Sequence, residues 1–101
     1  MAWQRAASAA DVKPDKGVTT KVGDTAIALF RVGDQVYAVE AICPHAEAEL
    51  AEGFIDQDKV ECPLHQAQFH IPTGKCLGPP ADRDLITFPA KIEGNDILVD
   101  I

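Results

Sequence analysis

Two short motifs in the middle of the chain carry residue types that bind soft metals. The first is Cys43-Pro44-His45 and the second is Cys62-Pro63-Leu64-His65, with residues 46–61 between them. Each motif offers one thiolate and one imidazole, so two loops that face each other would present two sulfurs and two nitrogens to a group bound between them. The pattern indicates a metal or metal-cluster site formed by Cys43, His45, Cys62 and His65.

Two kinds of centre use such a donor set. Structural zinc sites of the Cys2His2 type commonly pair cysteine with cysteine and histidine with histidine. Here each half of the site is a mixed pair, which suits a binuclear iron–sulfur centre with both thiolates on one iron and both imidazoles on the other. A 2Fe-2S cluster is the favoured interpretation, and a zinc-binding structural or interaction module is the alternative.

The spacing C-x-H, then 16 residues, then C-x-x-H resembles the Rieske signature. The chain as a whole resembles the small Rieske ferredoxins of bacterial aromatic-ring-hydroxylating dioxygenase systems, such as those for biphenyl, naphthalene and carbazole. The similarity extends over nearly all of the chain, and the segments that carry it are Trp3, residues 30–34, 60–65, 72–75 and 89–101.

The resemblance implies an all-β fold: a Rieske-type antiparallel β-sandwich or barrel base, forming a single domain over residues 1–101, with an inserted cluster-binding subdomain of loops and short strands at about 41–80. It implies one 2Fe-2S cluster per chain, ligated by Cys43, His45, Cys62 and His65. It also implies a carrier of single electrons from a flavin-dependent NAD(P)H ferredoxin reductase to a terminal oxygenase. With no open coordination position, the protein would not be an enzyme by itself. A Rieske redox sensor is a further alternative that keeps the cluster.

Several positions differ from related sequences. Ala46 and Ala67 stand where the family usually has glycine, which a backbone position with positive φ would favour. Ala48 and Leu64 stand where respiratory Rieske proteins have the cysteines of a loop disulfide. Imidazole ligation raises the potential of such clusters to about −150 to +300 mV, and the absence of a loop disulfide predicts a value near the bottom of that range.

The length of 101 residues predicts one domain. No apolar run approaches the roughly 20 residues that a membrane span needs, and the first residues lack the shape of a signal peptide. The three cysteines are an odd number, which fits a reducing compartment. We therefore expect a cytoplasmic protein, away from membranes and monomeric.

The chain is acidic, with a net charge of −7. This charge disfavours a nucleic-acid partner. Much of the excess lies in the spacer between the motifs, where six carboxylates accompany the single Lys59: Glu47, Glu49, Glu52, Asp56, Asp58 and Glu61. This spacer predicts either a docking surface for basic partner proteins or a solvated face.

Turn residues recur every 8 to 12 positions or so, as in a small sandwich or barrel. The expected strands are 3–7, 18–22, 25–31, 35–40, 59–61, 68–71, 85–88, 90–93 and 96–101, with residues 6–12 as a loop or single turn. Two other possible ligands are interpreted otherwise. Cys76 is expected to be a small core residue, and His70 a surface or hydrogen-bonded histidine.

Overall fold

The computed structural model describes residues 2–43, 48–63, 67–78 and 83–101. Within these ranges the chain forms ten β-strands and two short 3₁₀ turns, Ala9–Asp11 and Leu50–Glu52, and no α-helix. The strands are β1 (Trp3–Ser8), β2 (Val18–Val22), β3 (Thr25–Val32), β4 (Gln35–Glu40), β5 (Phe54–Asp56), β6 (Lys59–Glu61), β7 (Gln68–His70), β8 (Thr87–Phe88), β9 (Ala90–Glu93) and β10 (Asp96–Asp100). The predicted all-β fold is confirmed.

The strands form three antiparallel sheets in the orders β1-β10-β9, β2-β3-β4-β8 and β5-β6-β7. The first two sheets form the base of the molecule. The third lies in the insertion between β4 and β8, where the sequence places both ligand motifs. Tight turns make the base hairpins possible, and Gly33 between β3 and β4 adopts a φ of 61°, which glycine accepts without strain.

The four-stranded sheet is buried on both faces, because β3 sends alternate side chains into two different cores. One core lies between the two base sheets and the other lies beneath the ligand motifs. The first includes Ile27, Leu29, Val36, Ala38, Ile97 and Val99. The second includes Ala28, Phe30, Val39, Leu50, Val60 and Phe69. The insertion is therefore packed directly on the base sheet.

Most expected strands are present, with differences at their ends. β1 continues to Ser8, because Ala7 and Ser8 pair with Ile97 and Asp96 of β10, so only Ala9–Asp11 of the expected turn region is a turn. β8 contains only Thr87 and Phe88. The expectation that it begins at residue 85 is wrong, since the Leu85 N–H donates to the Gly74 carbonyl.

Smaller differences occur elsewhere. β3 continues to Val32, β7 ends at His70 and β10 ends at Asp100. β5 was not expected, because it lies inside the acidic spacer. No helix in the described ranges is long and apolar enough to cross a membrane.

Candidate metal centre

Cys43 and Cys62 begin two loops that leave the ends of strands. β4 ends at Glu40, three residues before Cys43, and β6 ends at Glu61, directly before Cys62. Both side chains are buried, with 3% and 1% of their surface exposed. They belong to the same buried cluster as Phe69 and Leu50, so the fold brings the two predicted sulfur ligands into one core.

The same hydrogen bond closes both loops. The Cys43 N–H donates to the Ala48 carbonyl at 2.9 Å, and the Cys62 N–H donates to the Ala67 carbonyl at 2.7 Å. Each bond spans five residues and encloses one histidine of the predicted ligand set. His45 and His65 themselves lie outside the described residues, so their role as ligands stays a prediction.

The donor set fits an iron–sulfur cluster. No disulfide joins Cys43, Cys62 and Cys76, so the two motif thiols are not bonded to another cysteine. They sit at corresponding positions of two loops closed in the same way, which is what two halves of one centre require. An apolar surrounding of this kind also keeps water away from a bound cluster, which tunes its potential.

Ala67 shows why a glycine is unnecessary at one of the two unusual positions. Gln57 is the one non-glycine residue with positive φ in the described ranges, so Ala67 has ordinary backbone geometry. Its carbonyl accepts the loop-closing hydrogen bond, and its methyl group is fully buried. Ala46 lies outside the described residues.

The structure places Cys76 and His70 away from any ligand role. Cys76 is partly buried against the core beneath the motifs, and its Sγ lies 3.3 Å from the Gly78 carbonyl. The imidazole of His70 contacts Asp58 at 3.0 Å and Thr73 at 2.8 Å. The expected hydrogen-bonded histidine is confirmed.

The acidic spacer divides into exposed and engaged carboxylates. Glu49, Glu52 and Asp56 are exposed. Asp58 is half-buried and pairs with His70, while Glu61 accepts a hydrogen bond from the Gln68 amide at 3.2 Å. Glu47 lies outside the described residues. Three of the five carboxylates that the structure describes are thus exposed to a partner surface.

Sequence reasoning missed a charged pair next to the first loop, formed by Glu40 and Arg83. Burial alone would raise the pKa of the Glu40 carboxyl, but hydrogen bonds from Arg83 and the Ile86 N–H, together with the Arg83 charge, outweigh burial and hold that pKa below its ordinary value. The two residues are 43 positions apart, and no local pattern links them.

Comparison with known proteins finds similar chains of known type. A chain from Ralstonia sp., the ferredoxin component of naphthalene 1,2-dioxygenase/salicylate 5-hydroxylase systems, is 37% identical over 97 residues, which cover 96% of this chain and 93% of the relative. The Sphingomonas yanoikuyae B1 ferredoxin superposes with a TM-score of 0.93 at 29% identity, covering 99% of both chains.

A third similar structure is a complex of reduced oxygenase and oxidized ferredoxin in carbazole 1,9a-dioxygenase, with a TM-score of 0.86 and 35% identity over 96% of this chain and 91% of that one. The family model described as "Rieske [2Fe-2S] domain" matches residues 2–89. The chain therefore belongs to the Rieske family, and its cofactor is a 2Fe-2S cluster.

Proposed function

We propose that this chain is an electron-transfer ferredoxin of an aromatic-ring dioxygenase system. It takes single electrons from a flavin-dependent NAD(P)H ferredoxin reductase and delivers them to the terminal oxygenase. The observation that carries the proposal is the pair of equivalent, closed loops that begin at the buried residues Cys43 and Cys62. Relatives described as ferredoxin components support it.

The proposed ligands are Cys43 and Cys62 on one iron and His45 and His65 on the other. When bound, the cluster supplies a one-electron couple whose potential is raised by imidazole ligation. The chain fixes the sulfur ligands on two strand ends and surrounds them with apolar side chains. A ligand set without an open position supports a carrier that does not act on the aromatic substrate itself.

The partners are proposed to approach an acidic surface. Glu49, Glu52 and Asp56 are exposed between the two loops in the sequence. Phe54, which is 71% exposed, lines a cavity together with Asp56, Glu61, Gln68 and Lys59, the single cation of the spacer. Such a surface suits a small, weak interface of less than about 1,200 Å², in which opposite charge speeds encounter without making the complex long-lived.

The proposal also covers the setting of the protein. A cytoplasmic location fits three cysteines with no disulfide among them. A monomer fits a carrier that must meet two partners in turn. The net charge of −7 speaks against a nucleic-acid partner.

The zinc alternative is not retained, because the family assignment specifies an iron–sulfur cofactor. No observation favours the redox sensor over the carrier.

A reconstituted electron-transfer chain tests the proposal. The purified holoprotein is mixed with NADH, a flavoprotein ferredoxin reductase and a terminal oxygenase of the aromatic dioxygenase class, and both cluster reduction and product formation are followed. We expect each chain to accept one electron, and we expect product to form only when the ferredoxin is present. The proposal would be overturned if the reductase cannot reduce the cluster and if leaving out the ferredoxin does not change product formation.

A further inference from the structure

Glu40 is an anchor point at the start of the first ligand loop. It is the last residue of β4 and lies three residues before Cys43. Its carboxylate accepts a hydrogen bond from each terminal nitrogen of Arg83, both at 2.8 Å, and a third from the Ile86 N–H at 2.6 Å. Its own N–H donates to the Ile86 carbonyl at 2.9 Å. The backbone entering the first loop is therefore tied to residues 83–86.

The same segment is tied to the backbone that leaves the second ligand loop. The Asp84 carboxylate accepts a hydrogen bond from the Cys76 N–H at 2.8 Å. Cys76 forms a bridge with Phe69 of β7, and β7 begins one residue after Ala67, where the second loop closes. Adjacent residues, Arg83 and Asp84, thus hold the two sides of the metal centre.

We propose that Arg83 and Asp84 are positioning residues for the cluster: they form a crosstie that fixes the first ligand loop relative to the second. The ligand loops are otherwise connected through the core, through the strands β4, β6 and β7, and through two backbone hydrogen bonds of the same segment, from the Glu40 N–H to the Ile86 carbonyl and from the Leu85 N–H to the Gly74 carbonyl. The crosstie uses side-chain contacts to join the end of β4, before the first loop, to the backbone that pairs with β7, after the second loop. The proposal depends on the family's cofactor alone and not on which partners the protein serves.

The geometry separates this pair from an ordinary surface ion pair. Arg5 and Asp96 make a single contact at 2.9 Å, with side chains 60% and 48% exposed, and such pairs contribute little. The Arg83 side chain is 48% exposed, but that of Glu40 is only 18% exposed, and the contact between them is bidentate. Bidentate contacts between arginine and a carboxylate are both stronger and more directional, so they can set the position of a loop.

The effect on the cluster follows from ligand geometry. Groups that hydrogen-bond to metal ligands orient them, and their loss typically reduces metal affinity by about 10- to 100-fold. Arg83 and Asp84 act one step further out, through the backbone, so the lower end of that range applies. If the crosstie is cut, the Cys43 and Cys62 loops can move relative to each other. The cluster then becomes less tightly held, and the spread of ligand geometries broadens its EPR signal.

The test uses the holoprotein and variants on each side of the crosstie. Glu40→Gln and Arg83→Gln remove the bidentate contact of the first tie, since a glutamine amide offers only one acceptor oxygen, and Asp84→Ala removes the second tie. Asp84→Asn removes the charge but keeps an oxygen that can accept from the Cys76 N–H. Arg5→Gln is the matched control, because it removes an arginine–carboxylate pair in the base. Arg83→Lys is a milder change that keeps the charge without the bidentate contact.

Three properties are measured: the rate of cluster loss to an iron chelator, the EPR line shape of the reduced cluster, and the midpoint potential. We expect Glu40→Gln, Arg83→Gln and Asp84→Ala to lose the cluster roughly 10-fold faster, the lower end of the outer-shell effect, with a broadened EPR signal. Arg83→Lys should fall between these variants and the wild type, and Asp84→Asn should resemble the wild type.

Two results would overturn the proposal. One is cluster loss, EPR signal and potential all unchanged from the Arg5→Gln control. The other is that the variants unfold more easily but keep the EPR signal and midpoint potential of the wild type. Arg83 and Asp84 would then stabilise the fold without positioning the ligands. If the crosstie variants behave as expected but the protein does not deliver electrons to an oxygenase, only the proposed function is contradicted.

Discussion

The imidazole Nε2 of His70 lies 3.0 Å from the Asp58 carboxylate. The other ring nitrogen lies 2.8 Å from the Thr73 hydroxyl, so both nitrogens have protein partners. This arrangement ties the end of β7 to the turn between β5 and β6. A histidine held in this way serves the fold and not the metal.

We predict that His70→Ala lowers the free energy of unfolding by about 1 kcal/mol for each hydrogen bond lost, while the EPR spectrum and midpoint potential stay those of the wild type. Denaturant unfolding and EPR measure the two effects. His45→Ala and His65→Ala provide the contrast, since each should prevent assembly of the cluster. A spectrum altered by the His70 change would show that the ligand assignment is wrong.

Stability at acid pH should depend on Glu40. Its pKa is lowered in the folded protein, where the hydrogen bonds and charge of Arg83 and the Ile86 N–H outweigh the opposing effect of burial. A lowered folded-state pKa contributes stability that is fully present above the unfolded-state value of about 4.3 and is lost as the pH falls through the folded-state value.

As the pH is lowered from neutral, the thermal unfolding midpoint of the holoprotein should therefore fall less steeply in Glu40→Gln than in the wild type. The midpoint of Arg83→Gln should also fall less steeply than that of the wild type, because without Arg83 the folded-state pKa of Glu40 rises toward the unfolded-state value and the pH-dependent contribution shrinks. If the thermal midpoint falls with pH in the same way in the wild type, Glu40→Gln and Arg83→Gln, the role assigned to the Glu40–Arg83 pair is contradicted.

Gly53 is a position where only glycine fits. A Cβ added there would overlap the Glu61 carbonyl oxygen, and Glu61 directly precedes Cys62. The backbone of Gly53 has φ −72° and ψ 170°, which any residue can adopt, so the obstacle is the contact itself. We predict that Gly53→Ala costs about 1–3 kcal/mol of unfolding free energy and speeds cluster loss.

Gly23→Ala is the control for that variant. It strains a turn at φ 62°, where nothing lies within 4 Å of the added Cβ, and it lies in the hairpin between β2 and β3, away from the ligand loops. Cluster retention in this control should match the wild type. Equal cluster loss in the two variants would mean that the Gly53 contact has no special link to the second loop.

The sequence predicts the base well because its strands follow local patterns, and short motifs are enough to single out the proposed sulfur ligands. β2 and β4 have the expected bounds, Val18–Val22 and Gln35–Glu40, since glycines flank β2 and a glycine turn precedes β4. Cys43 and Cys62 are recognised from short motifs, and burial in one core supports their pairing.

What the sequence leaves open depends on tertiary contacts. β5 is three residues long and lies in an acidic spacer, so it becomes a strand only by pairing with β6. The burial of β3 on both faces follows from the packing of the insertion onto the base sheet. Glu40 and Arg83 meet only in the folded chain, and the placement of His45 and His65 remains a prediction.

The exposed carboxylates of the spacer should control partner encounter. We predict that the triple variant Glu49→Gln, Glu52→Gln and Asp56→Asn is reduced more slowly by a flavoprotein ferredoxin reductase at low ionic strength, with a weaker dependence on salt. Its EPR spectrum should not change. Stopped-flow reduction over a series of salt concentrations measures the effect.

A matched triple variant separates local from total charge. Asp15→Asn, Asp24→Asn and Asp34→Asn change the net charge equally at exposed positions of the base. This control should be reduced nearly as fast as the wild type at every salt concentration. Equal slowing in both triple variants would mean that only the total charge matters and that the spacer is an ordinary solvated face.

Ligation of one cluster by two thiolates and two imidazoles is tested most directly by pulsed EPR of the reduced protein, grown with isotopically labelled histidine. We predict an anisotropic signal with a low average g value, coupling to nitrogens of two histidines, and loss of one of these couplings in any cluster-containing variant of His45 or His65. Reduced protein whose signal shows no histidine coupling, or purified protein that contains zinc and no acid-labile sulfide, would contradict this ligation.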